Sequence, residues 1–178
     1  MDRTAPAVET PDWMSQLRIR LLQESDLIAL EWDGEYAHFR RLYADAYQRM
    51  QKKLAVHWVA ELPQAGVIGQ VFVQLNCDRP ELANGRSRAY LYSFRIRPAY
   101  RGQGLGTQIM QTVEDALRRR GFRSITLNVA KDNAGAARLY RRLGYLVVAH
   151  EPGIWSYPDG DGVWHHMHEP AWRMEKRL

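Results

Sequence analysis

YLYSFRIRPAYRGQGLGT (Tyr90–Thr107) sets three glycines at alternate positions directly after an apolar, aromatic and β-branched run. The run predicts a strand. The stretch after it, Gly104–Gly121, predicts a helix. Leu105, Ile109, Met110, Val113, Ala116 and Leu117 fall on one stripe, and Gly121 stops it. Glycines between a strand and a helix let consecutive N–H groups turn towards one point, and the helix adds its positive end. Such a junction suits a phosphate, with Arg101 as a fixed charge beside it. A turn with no ligand has the same composition. The spacing excludes two nucleotide readings: Thr107 stands where a dinucleotide fingerprint needs its third glycine, and the lysine of a P-loop is missing.

Working outward, LNVAKDNAGAARLYRRLGY (Leu127–Tyr145) predicts the next strand and another helix, ended by Gly144. Asn133 opens this helix and Tyr140 follows about two turns later, on the same face. Ala134, Gly135, Ala136 and Ala137 keep the near surface low, so a ligand could lie close and reach the tyrosine. Each half alone also fits an ordinary N-cap asparagine and a core tyrosine.

Before the glycine junction, LRIRLLQ (Leu17–Gln23) alternates as a strand, and the chain from Leu27 to Leu54 predicts two helices broken near Asp33–Gly34. AVHWVAEL (Ala55–Leu62) and GVIGQVFVQLN (Gly66–Asn76) predict a hairpin across PQAG. After Gly144, YLVVAHE and GVWHHMHEPAWRMEKRL predict the closing strands around a turn-rich YPDGDG. The element order is β-αα-β-β-β-α-β-α-β-β. This predicts an α+β (mixed α/β) fold with a single central mixed, largely antiparallel sheet flanked by helices. Residues 1–15 are expected to form a flexible lead-in and residues 16–178 a single domain.

The 178 residues suffice for one domain with a real core. No apolar run reaches bilayer length, and the N-terminus lacks the apolar segment of a signal peptide. The single Cys77 cannot form an internal disulfide, so the chain reads as cytoplasmic, with no membrane partner. The net charge of +5 comes without an aromatic-basic surface motif, and no nucleic acid is expected. Trp164–His168 (WHHMH) offers two histidines on one strand face but no third ligand, so no metal is expected.

The two stretches FRIRPAYRGQGLGT and NAGAARLYRRLGY together resemble the GNAT superfamily of N-acetyltransferases, over roughly Ala89 to Val148. The resemblance implies acetyl-CoA as donor. Its pyrophosphate would lie on the loop Arg101, Gly102, Gln103, Gly104, Leu105, Gly106 and Thr107. Its pantetheine arm would pair with the backbone of Phe94, Arg95 and Ile96, where family members splay their strands, and with Asn133. The backbone N–H of Ile96 would polarise the thioester carbonyl, and Tyr140 would act as general acid towards the CoA sulfur.

The resemblance leaves the base open. Tyr92, Ser93 and Asn128 occupy the places where members often carry an acid. Glu31 and Asp33, in the segment that usually covers the acceptor site, are the candidate acids, and Trp155 and Tyr157 the candidate aromatic lining. A solvated acidic helix face accounts for Glu31 and Asp33 without any acceptor. The expected partner is a primary amine on a small molecule or a protein, attacking directly in a ternary complex. A homodimer through the C-terminal strands is also expected. A module that senses acyl-CoA with little turnover is the alternative function.

Overall fold

The computed structural model describes residues 11–178. Nine strands and three α-helices are found among them: β1 (Arg18–Leu21), α1 (Arg40–Gln51), β2 (Ala55–Leu62), β3 (Gly66–Gln74), β4 (Arg88–Ile96), α2 (Leu105–Arg119), β5 (Ser124–Ala130), α3 (Ala134–Arg142), β6 (Leu146–Glu151), β7 (Ile154–Pro158), β8 (Trp164–His168) and β9 (Ala171–Arg177). The main sheet runs β1-β2-β3-β4-β5-β9-β6, and β7-β8 form a separate ribbon. Only β4 and β5 pair in parallel; the other neighbours are antiparallel.

Strands β2 and β3 are buried along nearly their whole length, because helices cover both faces of the sheet. Val56, Trp58, Ala60 and Leu62 point one way and pack with Leu105, Ile109, Met110, Val113 and Leu117 of α2 and with Ala137 and Tyr140 of α3. Val59 and Phe72 point the other way, onto Leu30 and onto Tyr43 and Ala46 of α1. Strand periodicity thus distributes one sequence between two cores.

His57 ties α1 to this sheet. The ring is fully buried: its Nδ1 accepts from the Val73 N–H (3.2 Å), so its Nε2 carries the proton and donates to the Ala46 carbonyl (3.0 Å). Burial in this shell depresses its pKa from 6.5 to about 4. Between those values the unfolded chain takes up a proton that the folded chain refuses. Stability therefore falls as pH drops from 6.5 towards 4 and levels off below, a loss of about 3 kcal/mol. Urea unfolding across that range is expected to show this slope, and His57→Gln to lack it.

Three parts of the fold differ from the sequence expectation. The first of the two helices expected between Leu27 and Leu54 is replaced by isolated 3-10 turns at Ala29–Glu31 and Ala37–Phe39, and α1 begins only at Arg40. Trp32 and Asp33, at φ 47° and 60°, are both left-handed and interrupt any helix. Burial of the Trp32 ring, with an edge contact onto Tyr36, holds that conformation. Second, four strands close the chain: YPDGDG is the turn of the β7-β8 ribbon, with the Asp159 carboxylate accepting from the N–H groups of Asp161 and Val163. Third, β9 inserts between β5 and β6, so the second expected parallel contact does not form. Since β9 is paired on both sides, a homodimer by strand addition at this end would have to use β6, the edge strand.

Of the stretch 1–15 expected as a lead-in, residues 1–10 lie outside the described residues. Asp12–Gln16 forms a 3-10 turn whose Trp13 packs edge-on against Tyr100 and donates to the Gln103 side chain (3.1 Å).

Candidate active site

The sheet is open at its centre. β4 and β5 pair from Arg88↔Ser124 to Leu91↔Leu127 and no further, although β4 runs on to Ile96 and β5 to Ala130. Within the unpaired part, β4 carries a bulge against β3, and Ser93 takes a left-handed φ of 49°. A bulge bends its strand, here away from β5. Beyond it, Arg97 N–H donates to the Ile68 carbonyl of β3 (2.8 Å). Alternation then turns the backbone groups of Ile96 away from β3 and into the gap. The Ile96 carbonyl is taken by Arg101 Nε (2.7 Å), and its N–H is left facing the gap.

The glycine loop follows at once. Gly102 and Gly104 adopt φ of 71° and 93°, a region that favours glycine. None of the backbone N–H groups from Gly102 to Thr107 donates to another described residue, and no side chain caps α2. A run of free amides at a helix N-terminus binds anions. Gly106 serves a different purpose. A Cβ there would lie 3.2 Å from Leu139 and 3.5 Å from Ile96, so this glycine lets α2 and α3 close on the end of β4.

On α3, Asn133 caps the helix, its Oδ1 accepting from the Ala136 N–H (3.1 Å). Tyr140 is buried, with its ring edge-on to Tyr145 and burial raising its pKa above the ordinary tyrosine value. Its hydroxyl hydrogen-bonds to no described residue, and the Tyr90 phenol lies close by.

On the other side of the gap lies a cavity of about 460 Å³. Tyr43, Asp45 and Arg49 of α1 form one wall. Tyr90, Tyr92, Ser93 and Arg95 of β4 and Asn128 of β5 form the floor, and Trp155 and Glu169 close the far side. Tyr90 and Tyr92 stack in parallel with ring centroids 5.8 Å apart, and burial pushes both phenols up to about 12. Asn128 Oδ1 is sealed from solvent and has no hydrogen-bond partner among the described residues.

The model of the acetyltransferase (GNAT) family matches residues 21–145. The chain belongs to the GNAT family. It is 30% identical over 128 residues to a probable N-acetyltransferase camello of Xenopus tropicalis, covering 67% of this chain and 55% of that protein. To N-alpha-acetyltransferase 30 of Schizosaccharomyces pombe it is 27% identical, over 57% of this chain and 69% of that one. The chain spans about half the length of the first curated relatives it matches. In fold it is similar to the ribosomal-protein-S18-alanine N-acetyltransferase of Escherichia coli, with a TM-score of 0.67 and 23% identity over 91% of this chain and 94% of that one. It is similar also to yncA of Salmonella typhimurium, solved with its cofactor acetyl-CoA, with a TM-score of 0.68 and 20% identity over 91% and 94%.

GNAT proteins use acetyl-CoA as cosubstrate, and the residues here fit that group, since free amides and an open strand face one gap. One of the expected residues, Arg95, sits otherwise than expected. The backbone of Arg95 pairs with Gln70 of β3 and is not open to a ligand. Its side chain donates to the Tyr43 hydroxyl (2.6 Å) and lies 4.2 Å over the Tyr36 ring. Arg101 spends its Nε on Ile96. Phe94 lies at the bulge with its ring beside Gly106.

Of the expected acceptor residues, only Trp155 lines the cavity. Its Nε1 donates to Glu169 Oε2 (3.0 Å). Tyr157 is buried behind it, stacked between Trp155 and His165. Glu31 is buried and gives both carboxylate oxygens to Arg40 (2.6 and 2.8 Å), whose hydrogen bonds hold it below the usual carboxylate range. Asp33 pairs with Arg97 (3.2 Å) beside a separate hollow near the β2-β3 turn. Glu31 is buried in its ion pair with Arg40, Asp33 is exposed, and neither lines the cavity. The cavity's own acids, Asp45 and Glu169, carried no sequence signal: one sits mid-helix and the other in a short connection before β9. Among the described residues no three His, Cys, Asp or Glu side chains gather as a metal site. His165 and His166 bond instead to Asp159 and Ser156.

Proposed function

We propose that this chain transfers the acetyl group of acetyl-CoA to a primary amine, by direct attack within a ternary complex. The observation that carries this is the placement of two cradles on either side of one gap. The free amides of Gly102–Thr107 and the open N–H of Ile96 lie on one side, and a half-open cavity lined by aromatic rings on the other. The loop amides would hold the pyrophosphate, and the open edge of β4, with the Asn133 side-chain amide, would hold the pantetheine.

Bound there, acetyl-CoA supplies an activated acyl group and a thiolate leaving group. The chain's own part is electrostatic. The Ile96 N–H donates to the carbonyl oxygen as negative charge grows on it. The Tyr140 hydroxyl donates its proton to the departing sulfur. The amine must lose a proton, and the carboxylates facing the cavity to receive it, directly or through water, are Asp45 and Glu169. The bonds balance: one C–N bond forms, one C–S bond breaks, and a proton ends on sulfur.

Thiol release from acetyl-CoA, followed across a panel of amines with mass detection of the N-acetyl product, tests the reading. Amine-dependent release is expected. Tight acetyl-CoA binding with no amine-dependent release would make the chain an acyl-CoA-binding module instead.

A further inference from the structure

The glycine loop is held from outside, by the segment that precedes β1. Gln103 stands between Gly102 and Gly104, both left-handed. Glycine backbone is the freest in the chain, and the amides of Gly102–Thr107 spend no hydrogen bond on the described residues. A loop so built loses freedom when it closes on a ligand, and that loss weakens binding unless the loop is fixed beforehand. Among residues 102–107, Gln103 alone has its side chain hydrogen-bonded to described residues. Its Nε2 donates to the Ala99 carbonyl (2.8 Å), and its Oε1 accepts from the indole Nε1 of Trp13 (3.1 Å). An indole N–H only donates and a carbonyl only accepts, so these two partners fix the orientation of the amide.

Trp13 is itself held in place. Its ring meets Tyr100 edge-on, with centroids 5.2 Å apart and planes at 85°, and both rings lie against the larger core. Its segment is a 3-10 turn, Asp12–Gln16, braced by the Ser15 hydroxyl on the Asp12 carbonyl (2.9 Å). Two residues later the chain enters β1, which pairs with β2. The Met14 side chain comes within 3.9 Å of the Cβ position of Gly104. A segment 90 residues distant from Gln103 in sequence, anchored in the sheet, thus reaches the loop at both Gln103 and Gly104.

We propose that Trp13 is a positioning residue of the donor site. The bonds from Trp13 through Gln103 to Ala99 set the turn between the two glycines, so the loop amides already converge before acetyl-CoA arrives. Gln103 serves the loop through its side chain, since both ends of its amide are taken by the protein. This rests on the reading of the loop amides as the pyrophosphate cradle.

Trp13→Phe keeps a ring against Tyr100 and removes the N–H. Gln103→Met keeps the length of the side chain, removes both bonds, and tests the same tie from the loop side should Trp13→Phe fold poorly. Calorimetric titration with acetyl-CoA and melting are measured on each, on the double variant and on Gly104→Val. Trp13→Phe is expected to weaken acetyl-CoA binding by about 3–10-fold, the factor that one ordinary hydrogen bond carries, with little change in melting temperature. Gln103→Met should weaken it at least as much, and the double variant no further than Gln103→Met alone, because the two side chains share one bond. A merely structural role for Trp13 would lower the melting temperature and leave the affinity of the folded protein unchanged, and that result overturns the proposal. Additive losses in the double variant overturn it too. Unchanged affinity in both single variants overturns it while Gly104→Val still loses acetyl-CoA, which leaves the loop as the pyrophosphate site. If Gly104→Val also binds normally, the pyrophosphate reading falls and the positioning role falls with it.

Discussion

Gly104→Val is expected to weaken acetyl-CoA binding by about 10²-fold while leaving the protein folded. Hydrogen bonds to a charged group contribute about 1.5–3 kcal/mol each, and losing one or two of the loop amides gives that factor. The position has room: among the described residues a Cβ on Gly104 meets only the Met14 methyl, at 3.9 Å. The added methyls therefore project outward, over the surface to which the free amides point. The left-handed φ of 93° adds backbone strain of about 1–2 kcal/mol for any other residue. Gly121→Val controls for that strain, because Gly121 has φ 84° and nothing near its Cβ position, but sits beyond the opposite end of α2. Calorimetric titration and melting on the two variants separate the effects. Both should melt somewhat lower, and only Gly104→Val should lose acetyl-CoA. A folded Gly104→Val protein of unchanged affinity would remove the loop from the binding site.

Tyr140→Phe is expected to lower kcat by about 10²-fold, at the low end for loss of a general acid, because a thiolate is already a fair leaving group. Acetyl-CoA affinity should change little. The geometry sharpens the expectation about stability. A tyrosine hydroxyl tied to the backbone would cost about 1 kcal/mol on removal. Here the hydroxyl bonds to no described residue, so its removal breaks no internal bond and the melting temperature should hold. Burial keeps the phenol protonated well above neutral pH, so no acidic tuning is required. Kinetics and melting on one preparation decide the matter, and full activity in the variant would dismiss Tyr140 from the mechanism.

The glycine loop and the starts of α2 and α3 were legible in the sequence because their requirements are local. Glycines that must turn left, a helix that must start, and an asparagine and tyrosine two turns apart all act within about ten residues of chain. The splay was not legible from local pattern. It depends on Ser93 entering the left-handed region at a bulge, and nothing in YLYSFRI marks that serine. The helix expected to carry Glu31 and Asp33 was wrong for a related reason. Glu31 and Asp33 looked like free acids on a helix, and the helix is absent because Trp32 finds a better place for its ring in the core. Asp45, Arg49 and Glu169 come together only through the packing of α1 and the β7-β8 ribbon on the sheet. The hairpin β2-β3 and the helices α2 and α3 were legible because hydrophobic period and turn residues agree there.

The insertion of β9 between β5 and β6 also spreads the loop-closure cost of folding unevenly along the chain. β2, β3 and β4 pair with sequence neighbours and close short loops, and α2 links β4 to β5 locally. β9 must return across about 40 residues from the end of β5, so its docking bears the larger loop-closure entropy. Until it arrives, β5 presents an unpaired edge carrying Leu127 and Val129, and β6 has no partner in the sheet. That half-built sheet is the species most exposed to intermolecular strand pairing. The strand with the costliest closure is thus also the one that covers the β5 edge.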